Sequence, residues 1–222
     1  MVASARSALD RELSEIRDHL VRMESLVDTA IERAVRAFTE RDVALARQVI
    51  QEDMAINDLR FQIEEECLAL IATQQPAAGD LRAIIAMMNI LVDLERMGDH
   101  AAGIAKMVLR MSGEARLKPL SDLPRMAAVC REMLRQSFDA FLARDPELAR
   151  QAAQRDDEID QFYQQIFRIV LSYMLEDPRM ITQATYMLWA GHNLERIGDR
   201  VTNISERVIF MTTGQMKELN VK

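Results

Sequence analysis

Apolar residues recur every three or four positions along most of the chain, which is the spacing of one face of an α-helix. Residues 94–111 follow i, i+3, i+7 spacing, and residues 194–211 repeat the same spacing. No segment alternates apolar and polar residues in the way that a half-buried β-strand does. The pattern therefore predicts an all-α protein.

Turn and capping signals divide this pattern into six long helices. We predict helices at residues 9–39, 43–72, 76–111, 123–143, 146–175 and 178–214. Asp145 and Asp177 each precede a proline, which combines a capping side chain with a first-turn residue that has no N–H to satisfy. Residues 113–121 collect polar residues and helix breakers. We therefore expect two domains, 1–112 and 122–222, joined by a linker at 113–121.

The two halves are related to each other in sequence. Residues 93–99, D-L-E-R-M-G-D, align with residues 193–199, N-L-E-R-I-G-D, at a displacement of 100. The second helices of the halves align at a displacement of 103, which places Asp53 opposite Asp156 and Asn57 opposite Asp160. A turn before the third helix tolerates the small difference in length. These relations predict two tandem three-helix bundles that arose by duplication.

The net charge and the positions of the cysteines indicate which partners and which cell compartment to expect. The chain has 28 Lys and Arg against 35 Asp and Glu, a net charge of −7, which disfavours nucleic acid or an anionic membrane as the main partner. The longest nearly apolar run, residues 83–92, is too short to span a bilayer, and no signal-peptide pattern is present. Cys67 and Cys130 lie in different halves without metal-site neighbours. We expect buried free thiols and a cytoplasmic protein.

Each half carries two carboxylates four residues apart on one helix face. These are Glu95 with Asp99 and Glu195 with Asp199. Like charges at this spacing destabilise a helix by a few tenths of a kcal/mol, and the glycine between them costs about 1 kcal/mol more. The recurrence of both costs at equivalent positions suggests a common cause. A bound cation would offset the repulsion, and a glycine would let a neighbouring helix approach closely.

The second helix of each half adds a further pair of oxygen-bearing side chains. An antiparallel neighbour would bring that pair opposite the first, giving about four oxygen ligands in each half, a set that suits magnesium, manganese or iron. His192 shares the face of Glu195 and Asp199 and is a possible nitrogen ligand. Asn57 is a neutral amide, so we expect the first site to be the weaker one. The candidate metal ligands are Asp53, Asn57, Glu95 and Asp99 in the first half and Asp156, Asp160, Glu195 and Asp199 in the second.

Two other interpretations of these residues stay open. Carboxylates four residues apart are common on solvated helices, and Arg96, Arg196 and Arg200 are close enough in sequence to neutralise them, which would leave a metal-free helical scaffold. A carboxylate-bridged di-metal enzyme of the ferritin-like class needs Glu-x-x-His pairs. None of the three histidines has a glutamate three residues before it. No phosphate-binding loop or nucleophile elbow is present, so we name no catalytic residues.

The repeated E-R-[MI]-G-D segment resembles the PhoU family, as do residues 75–82, Q-P-A-A-G-D-L-R, and residues 193–204, N-L-E-R-I-G-D-R-V-T-N-I. The resemblance covers essentially the whole chain. It implies a cytoplasmic, non-enzymatic negative regulator of phosphate uptake and of the starvation response. Its partners would be the ATPase subunit of the Pst phosphate ABC transporter and a PhoR-type histidine kinase, without nucleic acid or membrane insertion.

The same resemblance implies a homodimer and metal binding through paired E/D-x-x-x-D motifs. By that resemblance the ligands map onto the eight residues named above. The metal would be a divalent or trivalent ion, with iron, manganese, magnesium and zinc as the candidates. Asn57 departs from the family's motif, which again points to the second site as the stronger one.

Overall fold

The protein is described here from a computed structural model that covers residues 2–111, 121–216 and 218–219. Within those ranges every regular element is helical. The elements are α1 Val2–Glu40, α2 Val43–Gln74, α3 Ala78–Arg110, α4 Asp122–Ala143, α5 Pro146–Gln154, α6 Asp156–Glu176 and α7 Ile181–Thr213, with a short 3-10 helix Pro178–Met180 before α7. Helices α1–α3 form the first lobe and α4–α7 the second. The predicted all-α fold of two three-helix bundles is confirmed.

One predicted helix, at residues 146–175, is wrong at a single point because the backbone turns at Arg155. The N–H of Arg155 bonds to the carbonyl of Ala152 at 3.3 Å, which closes the end of α5, and α6 begins at the next residue. The Arg155 side chain bridges Glu158 at 2.9 Å and Glu132 at 3.0 Å, which holds the turn. As a result Asp156 stands in the first turn of α6 and not in the interior of a helix.

Smaller differences occur at other helix ends. Helix α1 extends to Val2 because no breaker precedes the predicted start. Helix α3 begins at Ala78, two residues after Pro76, since Gln75 adopts a left-handed backbone with φ 46° that interrupts the chain before the proline. The predicted linker at 113–121 lies outside the described residues except for Ser121. The domain boundary therefore stays a prediction.

A single apolar core runs through both lobes, which meet where α3 packs on α7 and α1 packs on α4. Between α1 and α4, Arg131 donates two hydrogen bonds of 2.8 Å to the carboxylate of Asp28. Cys67 and Cys130 are buried and form no disulfide, as the sequence predicts. No helix in the described ranges is long and apolar enough to cross a membrane.

Two equivalent polar contacts join α3 and α7, one from each repeat to the other. Asp93 on α3 lies 3.4 Å from the Arg200 guanidinium and accepts a 3.2 Å hydrogen bond from Asn203. Asn193 on α7, the residue aligned with Asp93, lies 3.0 Å from Nδ1 of His100, the residue aligned with Arg200. Equivalent positions thus contact each other reciprocally, as they do across a two-fold axis. His100 serves this interface and does not point toward the carboxylates.

Candidate functional site

In the first lobe a glycine brings α2 and α3 into close contact at the carboxylate pair. A Cβ atom added to Gly98 would lie 3.0 Å from Cδ1 of Ile56 and 3.2 Å from Oδ1 of Asp53. The absence of a side chain at Gly98 lets the Asp53 carboxylate sit close to the turn of α3 that carries Glu95 and Asp99, since a Cβ atom there would push Ile56 or Asp53 away. The structure thus places the α2 pair opposite the α3 pair, as the sequence suggested.

The second lobe repeats this contact between α6 and α7 more tightly. A Cβ atom on Gly198 would lie 2.7 Å from Cδ1 of Ile159 and 2.9 Å from Oδ1 of Asp156. Asp156 is 3% exposed and stands in the first turn of α6, where the positive end of the helix dipole stabilises its charge. Its counterpart in the first lobe has no such helix end, because α2 runs on without a break.

The half-buried Asp53 carboxylate is electrostatically strained. Its Oδ1 atom is buried and has no hydrogen-bond partner. Burial raises the pKa of Asp53, and the nearby charges of Asp99 and Glu95 raise it further, against a lowering by Lys106. Asn57 donates its amide to the main-chain carbonyl of Asp53 at 3.1 Å. The first acidic set (Asp53, Asn57, Glu95 and Asp99) therefore has an excess of negative charge, and the Asn57 side chain offsets it only in part, by a hydrogen bond that lowers the pKa of Asp53.

Arg60 enters the first set and was missed by the sequence analysis. Its guanidinium lies 3.3 Å from Oε1 of Glu95. In the other lobe the aligned position, 103 residues later, holds Tyr163, which packs against Gly191 and has no charge at neutral pH. A signal was available, since Arg60 follows Asn57 by three residues and so lies on the same helix face. The first set carries its own internal cation.

In the second acidic set (Asp156, Asp160, Glu195 and Asp199), Glu195 is the carboxylate most affected by its surroundings. Its Oε2 atom is buried and lies 3.2 Å from Nδ1 of His192, although the two atoms are not aligned as a hydrogen bond. Burial raises the pKa of Glu195, as do Asp199 and Asp160, while His192 and Arg196 lower it. The predicted proximity of His192 to Glu195 is therefore found in the structure.

The arginines that the sequence offered as neutralising partners divide between different tasks. Arg196 lies 3.2 Å from Oδ2 of Asp199 and does neutralise a member of the second set. Arg200 instead binds Asp93 in the contact between the lobes. The charge balance of the two sets differs as a result, with a guanidinium on Glu95 in the first and on Asp199 in the second.

The chemistry of both sets is that of hard oxygen donors, with three carboxylates and an amide in the first and four carboxylates in the second. Among the described residues, no three His, Cys, Asp or Glu side chains converge closely enough to hold a metal ion. The helices therefore bring the predicted pairs opposite each other without forming a closed ligand cage. A cation would have to draw these side chains together.

Comparison with protein families and curated relatives gives one consistent result. A family model described as the PhoU domain matches residues 20–108 and again residues 123–208, which is one match in each lobe. A protein of Rhizobium meliloti named phosphate-specific transport system accessory protein PhoU homolog is 39% identical over 96% of this chain and 90% of its own length. A protein of the same name from Pseudomonas putida is 41% identical over 91% of this chain and 80% of its own length.

Solved structures agree with these sequence matches. The crystal structure of PhoU from Pseudomonas aeruginosa superposes with a TM-score of 0.87 at 37% identity, covering 93% of this chain and 99% of that one. The phosphate transport system regulatory protein PhoU from Streptococcus pneumoniae gives a TM-score of 0.87 at 33% identity, covering 94% and 99%. The arrangement of the two lobes is thus shared with these proteins over nearly their whole length.

Proposed function

This chain belongs to the PhoU family, and from that membership we propose that it is an accessory and regulatory protein of a phosphate transport system. The observation that carries the proposal is the match of both lobes to relatives that bear this name, over 90% and 80% of the relatives' own lengths. A non-enzymatic role agrees with the architecture, in which rigid paired bundles present acidic sets and outer helix surfaces. It also agrees with the names of the family's relatives, which refer to regulation and transport.

In its finer form, the proposal is a cytoplasmic negative regulator that links two partners. The protein would bind the ATPase subunit of a Pst-type phosphate transporter and a PhoR-type histidine kinase, and it would keep the kinase from activating starvation genes while phosphate is plentiful. A homodimer would present each surface twice. Two duplicated lobes in one rigid unit suit such a linking role, because two partners can be held at a fixed distance.

A strain that lacks the gene tests the regulatory part. We expect a phosphate-starvation reporter to be expressed in phosphate-rich medium in the deletion strain and to be repressed again when the gene is restored. Normal repression in the deletion strain would overturn the proposed negative regulation. Phosphate uptake measured in the same cultures separates an effect on the transporter from an effect on the kinase.

Direct binding is tested with purified partners. We expect the tagged protein to retain the transporter's ATPase subunit and the cytoplasmic part of the kinase, with retention that changes on addition of phosphate. Retention of neither partner, in the presence and absence of phosphate, would overturn the linking role. Sedimentation of the protein alone gives the oligomeric state.

We also propose that the acidic sets bind metal, with the second set as the stronger site. The support is the donor chemistry: two buried carboxylate oxygens, on Asp53 and Glu195, have no hydrogen-bond partner, and a hard cation would satisfy them. A bound cation would supply positive charge between the paired helices. In the first set Arg60 already supplies part of that charge to Glu95.

Elemental analysis of protein purified without chelator tests the metal proposal. We expect stoichiometric iron, manganese, magnesium or zinc in the wild-type protein and a loss of bound metal in a Glu195→Ala/Asp199→Ala variant. The matched control is Glu15→Ala/Asp18→Ala, which removes two exposed acids from α1. Equal metal content in all three proteins, or no metal in any of them, would favour the metal-free scaffold. The open arrangement of the carboxylate side chains also supports that alternative.

A further inference from the structure

An apolar groove continues from the acidic set along the outside of the second lobe. On α6 the residues at 160, 164, 167 and 171 lie on one face, and on α7 the residues at 181, 185, 188, 192, 195 and 199 do so, by helical spacing. The two rows border the same side of the α6–α7 contact, because Tyr163 on α6 and His192 on α7 lie against each other there, with ring centroids 6.1 Å apart. Acidic residues occupy one end of the rows. The apolar residues of the other part, here called the second groove, are Phe167, Leu171, Ile181 and Leu188.

The second groove is almost free of charge, and the segment that contains it is rich in the residue types that form protein interfaces. Between Arg179 and Glu195, α7 carries no Asp, Glu, Lys or Arg, and between Asp160 and Glu176, α6 carries only Arg168. All three tyrosines of the chain and its single tryptophan fall within residues 163–189. Tyr, Trp, Phe and Met are enriched in the buried part of protein interfaces, where charged residues are depleted.

The first lobe has an equivalent groove between α2 and α3. Its apolar residues, here called the first groove, are Phe61, Leu68, Ile85 and Val92. Together with Phe167, Leu171 and Ile181 these side chains are between 37% and 58% exposed, so the described part of the chain leaves both grooves uncovered. Four exposed apolar side chains on the first lobe and three on the second, each group bordering one helix pair, exceed the scattered apolar residues that are normal on a soluble surface.

The two grooves are apolar partly through shared and partly through different positions of the repeats. By the alignment of the repeats, Phe61 corresponds to Gln164, and Glu64 corresponds to Phe167. Ile85 corresponds to Thr185 and Val92 to His192, whereas the pairs Leu68/Leu171, Leu81/Ile181 and Met88/Leu188 are apolar in both repeats. The repeats have thus diverged in sequence while each keeps an exposed apolar groove next to its acidic set. An incidental surface feature has no reason to persist in this way.

We propose that each groove binds an amphipathic helix of a protein partner, with its apolar face in the groove and its Lys or Arg residues at the end nearest the acidic set, where they would compete with a bound cation. A groove between two antiparallel helices fits a third helix whose anchors recur at i, i+4 and i+7. The rows from residue 181 to residue 199 are about 27 Å long at 1.5 Å per residue, which is the length of a partner helix of about 18 residues. This inference rests on the proposed accessory function and names the surface through which it contacts a partner.

Charge favours a basic partner helix over two other occupants of the grooves. A second copy of the chain carries the same acidic set beside its own groove and so offers no basic end to pair with it. An anionic membrane would be repelled by the same carboxylates and by the net charge of −7. A helix with a basic end meets an apolar groove and an acidic set with complementary surfaces on both.

Trp189 provides a readout because it is the only tryptophan, is 46% exposed, and follows Leu188 of the second groove directly in sequence on α7. The full-length protein, treated with chelator, is titrated with a synthetic helical peptide of about 18 residues that has Leu at i, i+4, i+7 and i+11 and lysines at one end. We expect a blue shift of the Trp189 emission and saturable binding. A peptide with glutamates in place of the lysines is expected to bind about tenfold more weakly or worse, a difference of about 1.4 kcal/mol.

Variants of exposed residues assign the binding to the grooves without disturbing the core. Phe167→Ser/Leu171→Ser is expected to weaken peptide binding at the second groove at least tenfold, a loss of about 1.4 kcal/mol or more. Leu142→Ser, which removes an equally exposed leucine from α4, is the matched control and is expected to bind like wild type. Circular dichroism and the unfolding midpoint show that each variant is folded.

Several results would overturn the inference. These are equal binding of a scrambled peptide, equal binding of the glutamate peptide, or wild-type binding by Phe167→Ser/Leu171→Ser. A dimer that this variant dissociates would assign the groove to a second copy, and an emission shift seen only with phospholipid vesicles would assign it to a membrane. Since the peptide assay needs neither transporter nor kinase, its failure beside a derepressed deletion strain would reject the groove and leave the regulatory function standing.

Discussion

Asp93 on α3 and Asn193 on α7 hold equivalent positions in the two repeats, and each makes its polar contact with the opposite repeat. The two contacts are reciprocal in position but different in chemistry. Asp93 brings a charge that meets Arg200 and Asn203, whereas Asn193 is neutral and meets His100. The contact between the lobes therefore depends more heavily on Asp93.

Replacement of Asp93 by alanine is predicted to destabilise the protein by about 2 kcal/mol, because it leaves Arg200 and Asn203 without their acceptor in a mostly buried interface. Asp93→Asn is expected to cost less than about 1 kcal/mol. Burial raises the pKa of Asp93 more than its two partners lower it, so the charge itself is only partly compensated. Chemical denaturation of the two variants measures the difference, and equal losses would contradict it.

Three glycine-to-alanine variants on α3 and α7 are predicted to change the free energy of unfolding in different directions. Gly79→Ala meets no atom within 4 Å and is expected to stabilise by up to about 1 kcal/mol through helix propensity. Gly198→Ala would place its Cβ 2.7 Å from Ile159 and 2.9 Å from the buried Asp156 carboxylate, so we expect a net loss of about 1–3 kcal/mol. Gly98→Ala, with contacts of 3.0 and 3.2 Å, is expected to fall between them.

Denaturation midpoints at one protein concentration rank the three variants. A stable Gly198→Ala protein would show that α6 and α7 can separate at the carboxylates without cost. In that case the close approach of the helices would not be needed to keep the acidic sets together.

Glu24 on α1 predicts a pH dependence of stability. Burial, aided by Asp28 and Asp139, raises the pKa of Glu24 to about 7 against a lowering by Arg135. The folded state then holds a proton that the unfolded state releases near pH 4.5, so this group's contribution falls as pH rises from about 4.5 to 7. After allowance for solvent screening, the loss is about 1–2 kcal/mol.

Glu24→Gln is expected to remove this loss and to stabilise the protein at pH 8 by a similar amount, about 1–2 kcal/mol. Unfolding free energies measured at intervals between pH 5 and pH 8 test it, with the exposed Glu15→Gln as the matched control. A pH profile that stays the same in Glu24→Gln would contradict the assignment.

Because of Arg60, we predict that a single substitution cannot give the first acidic set the metal affinity of the second. Asn57→Asp restores the missing carboxylate, but Arg60 remains 3.3 Å from Glu95 and competes with any cation. We expect Asn57→Asp/Arg60→Tyr, which copies both residues of the second lobe, to bind metal at least tenfold more tightly than Asn57→Asp, a gain of about 1.4 kcal/mol or more. Calorimetric titration with Mn²⁺ compares the two, and equal affinities would rule out competition by the guanidinium.

Much of the candidate site was predictable because the chain contains an internal comparison. The alignment of the repeats placed Asp53 with Asp156 and predicted that each would face a glycine-flanked carboxylate pair, which the structure shows. Helical spacing alone identified the shared face of His192 and Glu195. Arg60 was missed because the sequence interpretation looked for neutralising arginines only on the helix that carries the E-R-[MI]-G-D segment.

The turn at Arg155 was not predictable from local sequence. The residues around it are acceptable in a helix, and no proline or glycine marks a break. Tertiary packing decides the outcome, since Ala149, Ala152 and Ala153 are buried and α5 lies against α7. Side chains from distant helices, such as Glu132, then hold the turn. The position of Asp156 at a helix start follows from those contacts and not from its neighbours.

The continuous core and the reciprocal α3–α7 contact limit what one repeat can do alone. A chain cut between the repeats would leave the inner sides of α3 and α1, or of α7 and α4, facing water. The smallest assembly that covers those sides is a pair of repeats. Within one chain the pair is always present at full occupancy, at any protein concentration, whereas a one-repeat protein would have to find a copy of itself. Fusion of the repeats therefore makes the folded state independent of how much protein the cell holds.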